Sequence, residues 1–295
     1  MEHKRDFITF QFEKLRQATW LIIALFLIGK TAFSSFVNLV IFPSGVLSGI
    51  SNATNGLVQP TLVVNLIGLL IIVIGVIVYL GKINKNEIGI NLRLIPRALV
   101  ITFIIWASVQ IIGAAASIIQ NGSPVLDTSW QNASWQIALG SIIAQLAGNA
   151  LVEEIEYRGF LLPQLFLKIN GHSSIRSRRL KIALALFASQ TLFALMHIPN
   201  RIYMGMPLSE WPLDLFTLLG IGVLYSFVYL RTGNLFIAVG LHSLANVPLS
   251  LFTSQEVARF IVLAIALLIV FLWRKNPAEL TGEKPTLKPV SGTSQ

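Results

Sequence analysis

TLVVNLIGLLIIVIGVIVYL, residues 61–80, is a run of twenty residues with no Asp, Glu, Lys, Arg or His in it. At about 1.5 Å rise per residue a helix of that length measures roughly 30 Å, the thickness of a bilayer's hydrocarbon core. It reads as a membrane-spanning helix, and the question becomes how many of its kind the chain holds. Working outward, comparable apolar runs fall at Ala18–Phe42, Ala98–Ile119, Trp135–Leu167, Ile182–Ile198, Leu213–Leu230, Leu235–Phe252 and Val257–Trp273. With 54% hydrophobic and 12% charged residues and a mean hydropathy of +0.72, the chain as a whole is far more apolar than a soluble domain. The expected fold class is all-α, a polytopic bundle of about eight transmembrane helices.

The net charge of +9 does not point to nucleic acid, because the basic residues sit in alternate connections between the runs. Lys4, Arg5, Lys14 and Arg16 precede the first run. Lys82, Lys85, Arg93 and Arg97 fill the second loop, Arg176, Arg178, Arg179 and Lys181 the fourth, and Arg231 the sixth. Arg274 and Lys275 follow the last run, whereas the first and third loops hold no Lys or Arg, the fifth only Arg201 and the seventh at most Arg259. Since basic loops stay in the cytoplasm, this alternation predicts a multi-pass protein of the cell membrane with both termini cytoplasmic.

The first run is too long for the core of a cleaved signal and reads as a retained span; Lys30, which interrupts it, is expected to snorkel to an interface or mark a break. The expected organisation is a cytoplasmic segment 1–17, three helices over 18–134, a core over 135–253, a last helix over 254–274 and a disordered tail over 275–295. No internal repeat of the kind many transporters carry is visible. The absence of cysteine removes disulfides, thiolate metal sites and cysteine nucleophiles.

Ionisable groups are expensive in hydrocarbon and usually face the bundle interior, where they carry function. Glu153, Glu154 and Glu156 cluster in the fourth run, and His197 and His242 are the histidines within runs; His3 and His172 lie outside them. Glu154 and Arg158 are four apart, acid first, the favourable order for a helical ion pair, and Glu153 then points about 100° away. Phe193 and His197 share one helix face, as do His242 and Asn246. Counted from the nearest cytoplasmic basic residue, Glu153, His197 and Asn246 lie ~22–24 Å and His242 ~16 Å into the bundle. Separate helices therefore deliver polar groups to a similar depth.

Glu-Glu-x-x-x-Arg at 153–158, Phe-x-x-x-His at 193–197 and His-x-x-x-Asn at 242–246, in that order, resemble the three motifs of the CPBP family, the CAAX proteases and bacteriocin-processing enzymes also called the Abi family. The approach Thr-Gly-Asn-Leu-Phe-Ile-Ala-Val-Gly-Leu-His at 232–242 is similar as well. The resemblance covers roughly Trp135 to Phe252; Glu156 is an additional acid between the motif ends. It implies an intramembrane endopeptidase hydrolysing a peptide or membrane-protein substrate within the lipid bilayer. Glu153 and His197 would activate water, His242 and Asn246 would stabilise the oxyanion, and Glu154 and Arg158 would hold the site's shape.

The resemblance leaves metal dependence open, since Glu153, His197 and His242 would also make a two-His, one-carboxylate zinc set, although no His-Glu-x-x-His helix is present. Gly-x-Ser-x-Gly and paired intramembrane aspartates are absent, which sets aside serine and aspartate chemistry. The competing class is a non-proteolytic membrane protein of the same fold, a bacteriocin-immunity or regulatory scaffold. Pro199, just after His197, is the one hint of a broken helix.

Overall fold

The computed structural model describes residues 10–130, 134–171 and 174–273. His3, His172, the basic pair Arg274 and Lys275, and the tail lie outside the described residues. The described residues form helices joined by turns, with no strand. Seven helices are long and apolar enough to cross a membrane: α1 (Trp20–Ser44), α2 (Pro60–Leu80), α3 (Leu92–Asn121), α4 (Trp135–Asn170), α5 (Arg178–Tyr203), α6 (Leu208–Thr232) and α8 (Gln255–Leu272). Between α6 and α8 lies α7 (Leu235–Asn246), a shorter apolar helix. The chain is a multi-pass helical membrane protein.

Local signals fix where these helices start. Thr19, Ser177 and Ser254 accept hydrogen bonds from the backbone N–H groups of Ile22, Leu180 and Val257, satisfying donors that a first turn leaves unpaired. The outer surface is apolar: Ile67, Leu70, Ile71 and Ile74 of α2 are exposed while Val64, Ile72, Val73 and Ile77 are buried. On a water-soluble monomer so wide an apolar surface would be anomalous; in lipid it is the expected exterior.

One end of the bundle gathers the basic connections. Arg178 bonds Glu13 Oε1 at 3.0 Å and the Phe10 carbonyl at 2.7 Å. Arg16 reaches the Lys82 carbonyl at 3.1 Å. Arg231 donates to the Val270 and Trp273 carbonyls at 2.8 and 2.7 Å, and Arg97 lies over the Trp273 ring. The segment before α1, the second, fourth and sixth connections and the end of α8 thus meet on one side, as the charge alternation requires. Of the two exceptions, Arg201 is matched by a bidentate bond to Asp214 at 2.7 and 3.1 Å, and Arg259 donates to the Ala245 carbonyl.

The run expected to span 235–252 is helical only to Asn246. Pro248 is the reason: a residue before proline is driven out of the α region, and Val247 takes φ −135°, ψ 82°. Twelve residues give about 18 Å of helix, too short for the hydrocarbon core, and the chain continues as irregular backbone. That backbone is tied to protein rather than exposed to lipid. Trp106 and Gln110 donate to the Leu249 carbonyl, Gln110 accepts from Leu251 N–H at 2.9 Å, and Leu251 accepts from Asp127 N–H at 2.8 Å.

α4 is interrupted at Ala147–Gly148 and contains a π-helical turn at Glu154–Leu161, a feature often found at functional sites. Gly159 of that turn packs directly on the Ile88 backbone, where an added Cβ would collide with the Ile88 carbonyl. Gly159→Ala should therefore destabilise the protein by about 1–3 kcal/mol, the usual cost of forced overpacking. A lowered unfolding midpoint in detergent checks this, and an unchanged midpoint would show that the second connection yields freely.

Candidate active site

Two charged motif residues and the additional acid between them lie wholly inside the protein. Glu154, Glu156 and Arg158 are each 0% exposed. Glu154 Oε1 and Arg158 Nη1 are 3.1 Å apart, so the pair expected from the spacing forms. Arg158 Nη2 also donates to the Gly222 carbonyl of α6 at 3.1 Å. Its guanidinium lies 4.4 Å from the centre of the Phe193 ring and 5.8 Å from that of Tyr225, contacts in which a cation gains from the ring quadrupole. The first motif thereby binds α4 to α5 and α6.

Phe193 and His197, on one helix face, set their rings in a T-shaped contact with centres 4.7 Å apart. His197 follows the end of the long part of α5, where the helix turns before Pro199 and resumes at Ile198; the break hinted at by the proline is present. Its Nδ1 is 2.9 Å from the Phe193 carbonyl oxygen. A carbonyl only accepts, so Nδ1 carries the hydrogen, and in the neutral ring Nε2 keeps its lone pair.

His242 of α7 is buried, stacked on Tyr225 at 5.1 Å between ring centres. Its Nδ1 lies 2.8 Å from Glu154 Oε1, and its Nε2 lies 3.7 Å from Glu153 Oε2. Glu154 is thus shared between Arg158 and His242. Glu153 is only 14% exposed, and its Oε2 has no hydrogen-bond partner. Where the motifs pair Glu153 with His197, the contact is with His242. Asn246 sits at the exposed end of α7 and donates from Nδ2 to Gln145 Oε1 at 2.9 Å. One amide hydrogen is engaged there and the other is left over.

Several residues at the site carried no motif. Tyr225 and Gln145 are known only through contacts between helices, and nothing in their own segments marks them. Lys30 was expected to snorkel outward; instead it turns inward, its Nζ 2.6 Å from Glu156 Oε2. Glu156, the additional acid, thus has its partner on α1. Among the described residues no three His, Cys, Asp or Glu side chains converge as a ligand group, so Glu153, His197 and His242 do not fit a preformed zinc site.

The fold and this cluster define a class: a multi-pass helical membrane protein with carboxylates, histidines and an arginine buried at its centre. Residues 134–248 match the family model of the Rce1-like type II CAAX prenyl endopeptidases, the family to which the three motifs pointed. The match takes in α4 to α7 and supports, at family level, a CAAX-type membrane protease acting on peptides in a bilayer. No curated protein and no solved structure matches the chain.

Proposed function

We propose that the chain is an intramembrane endopeptidase of the CAAX type in which Glu153 takes the proton of an attacking water. The observation that carries this reading is the position of Glu153 Oε2. It is buried, lacks a hydrogen-bond partner and faces Nε2 of a histidine whose other nitrogen is fixed on Glu154. A carboxylate so placed is a proton acceptor waiting for a donor.

In the proposed reaction the water oxygen bonds to the scissile carbonyl carbon as its proton passes to Glu153 Oε2. His197 orients the water through the Nε2 lone pair that its Nδ1–H bond to Phe193 leaves free. The oxyanion is met by the remaining Asn246 N–H and by the His242 ring, whose other nitrogen lies 2.8 Å from Glu154 Oε1. Prearranged donors of this kind gain strength in a water-poor site. Collapse breaks the C–N bond, and the proton held by Glu153 goes to the leaving amine. The alternation of basic connections supports placing both termini in the cytoplasm of a cell membrane.

The test compares peptide termini in membranes carrying wild-type protein with those carrying Glu153→Ala, with and without chelator. Termini that appear only with the wild type and survive chelation are the expected result. Identical termini in both membranes would remove the protease reading and favour a scaffold of the same fold. Termini lost on chelation would restore a metal to the mechanism.

A further inference from the structure

The family match begins at residue 134, yet the polar cluster is not closed by α4 to α7 alone. Within it three carboxylates, Glu153, Glu154 and Glu156, face two fixed cations. Arg158 answers Glu154. The second cation, Lys30, comes from α1 and answers Glu156. Outside this group Arg201 is already matched by Asp214, and Arg259 donates to the Ala245 carbonyl at 2.8 Å. The count leaves one carboxylate without a fixed counter-charge, and by its contacts that one is Glu153.

A second set of contacts ties the same face of α1 to the His197 turn. Thr31 Oγ1, which donates to the Leu27 carbonyl at 2.7 Å, lies 3.2 Å from Met196 Sδ, Ser34 Oγ reaches the Met196 carbonyl at 3.5 Å, and Asn38 accepts from Asn200 Nδ2 at 3.0 Å. Phe26, one turn earlier, sets its ring edge-on to Tyr157 and Phe160 of α4. Phe26, Lys30, Ser34 and Asn38 repeat every four residues and so lie on one helical face, which runs past both the acid cluster and the histidine turn. An ammonium 12% exposed and 2.6 Å from a fully buried carboxylate is not a snorkelling lysine. With one such partner removed, the remaining buried charge seeks another.

We infer that Lys30 is a positioning residue of the active site: it holds Glu156 in an ion pair and so leaves Glu153 as the single uncompensated carboxylate available to water. The inference rests on the protease reading above. Without Lys30, Glu156 competes with Glu153 for Arg158 and His242, and the base is displaced. With Lys30 kept but Glu156 neutralised, the freed ammonium turns to Glu153, the neighbouring acid three residues back on the same helix.

The experiment uses the full chain in nanodiscs with two internally quenched probes, a farnesylated CAAX peptide and its unprenylated counterpart. Lys30→Met should lower kcat per folded molecule about a hundredfold, the scale on which a misplaced catalytic group costs rate, with KM nearly unchanged. Glu156→Gln should also lower kcat. Lys30→Arg should keep most of it, and Lys30→Met with Glu156→Gln should regain about tenfold over Lys30→Met alone, because the charge count returns to that of the wild type. Lys30→Met protein that unfolds more readily but turns over at the wild-type kcat would make Lys30 a packing residue and overturn the inference alone. Wild-type protein that cuts neither probe, or Glu153→Ala protein that cuts as well as the wild type, would overturn the protease reading and the inference with it.

Discussion

Glu153→Gln is expected to lower kcat on a cleaved peptide by about 10²–10⁴-fold, the range that a positioned general base contributes, while the protein still folds. The amide keeps the size of the carboxylate and the contact with His242 but cannot accept the water's proton. Its stability should change little, because Glu153 is the carboxylate of the cluster that no fixed cation answers, whereas Glu154 and Glu156 are each paired. The measurement is kcat and KM for wild type and variant at matched folded concentration. A fall in kcat with KM held would locate the loss in the chemical step. A variant retaining wild-type kcat would move the base elsewhere, and the only other acids in this cluster are already engaged.

His242→Ala tests the same centre from the opposite side and separates two versions of it. Were His242 merely structural, its loss would weaken stacking on Tyr225 and free Glu154, and the unfolding midpoint would carry the effect. The proposed role puts the larger effect on kcat, because the imidazole faces Glu153 on one nitrogen and Glu154 on the other.

What the sequence announced and what it concealed divide along a physical line. Apolar length and basic alternation are properties of a segment and its flanks, so the long helices and the common basic end were legible. The Glu154–Arg158 and Phe193–His197 contacts were legible too, since each lies within one helix and helical spacing dictates it. Contacts between helices depend on how the bundle rotates each one, and there the reading fell short. Lys30 faces α4 instead of an interface, His242 instead of His197 touches Glu153, and Gln145 holds Asn246. The shortened α7 is a different case: Pro248 stood in the sequence as a stop signal, but the apolar residues beyond it continue the run as hydropathy, though not as helix. Hydropathy measures what lipid tolerates, and buried irregular backbone satisfied by Trp106 and Gln110 is tolerated as well.

The ion pair that spacing did foretell also governs stability. Arg158→Met should destabilise the protein by about 3–5 kcal/mol, the cost of leaving a buried partner charge uncompensated, against a total stability of about 5–15 kcal/mol for a typical protein. The guanidinium is 0% exposed, joins Glu154 at 3.1 Å and the Gly222 carbonyl at 3.1 Å, and packs on the faces of Phe193 and Tyr225. Its removal strands Glu154 with His242 alone and loosens three helices at once. Gly222 would suffer less, because Ser226 Oγ also donates to its carbonyl at 2.8 Å. Unfolding midpoints in detergent should therefore fall steeply for Arg158→Met and less for Arg158→Met combined with Glu154→Gln, in which no charge is left stranded. Such non-additivity is the mark of a direct pair. Strictly additive losses would mean instead that Arg158 holds the bundle through Phe193, Tyr225 and Gly222, and that Glu154 answers chiefly to His242.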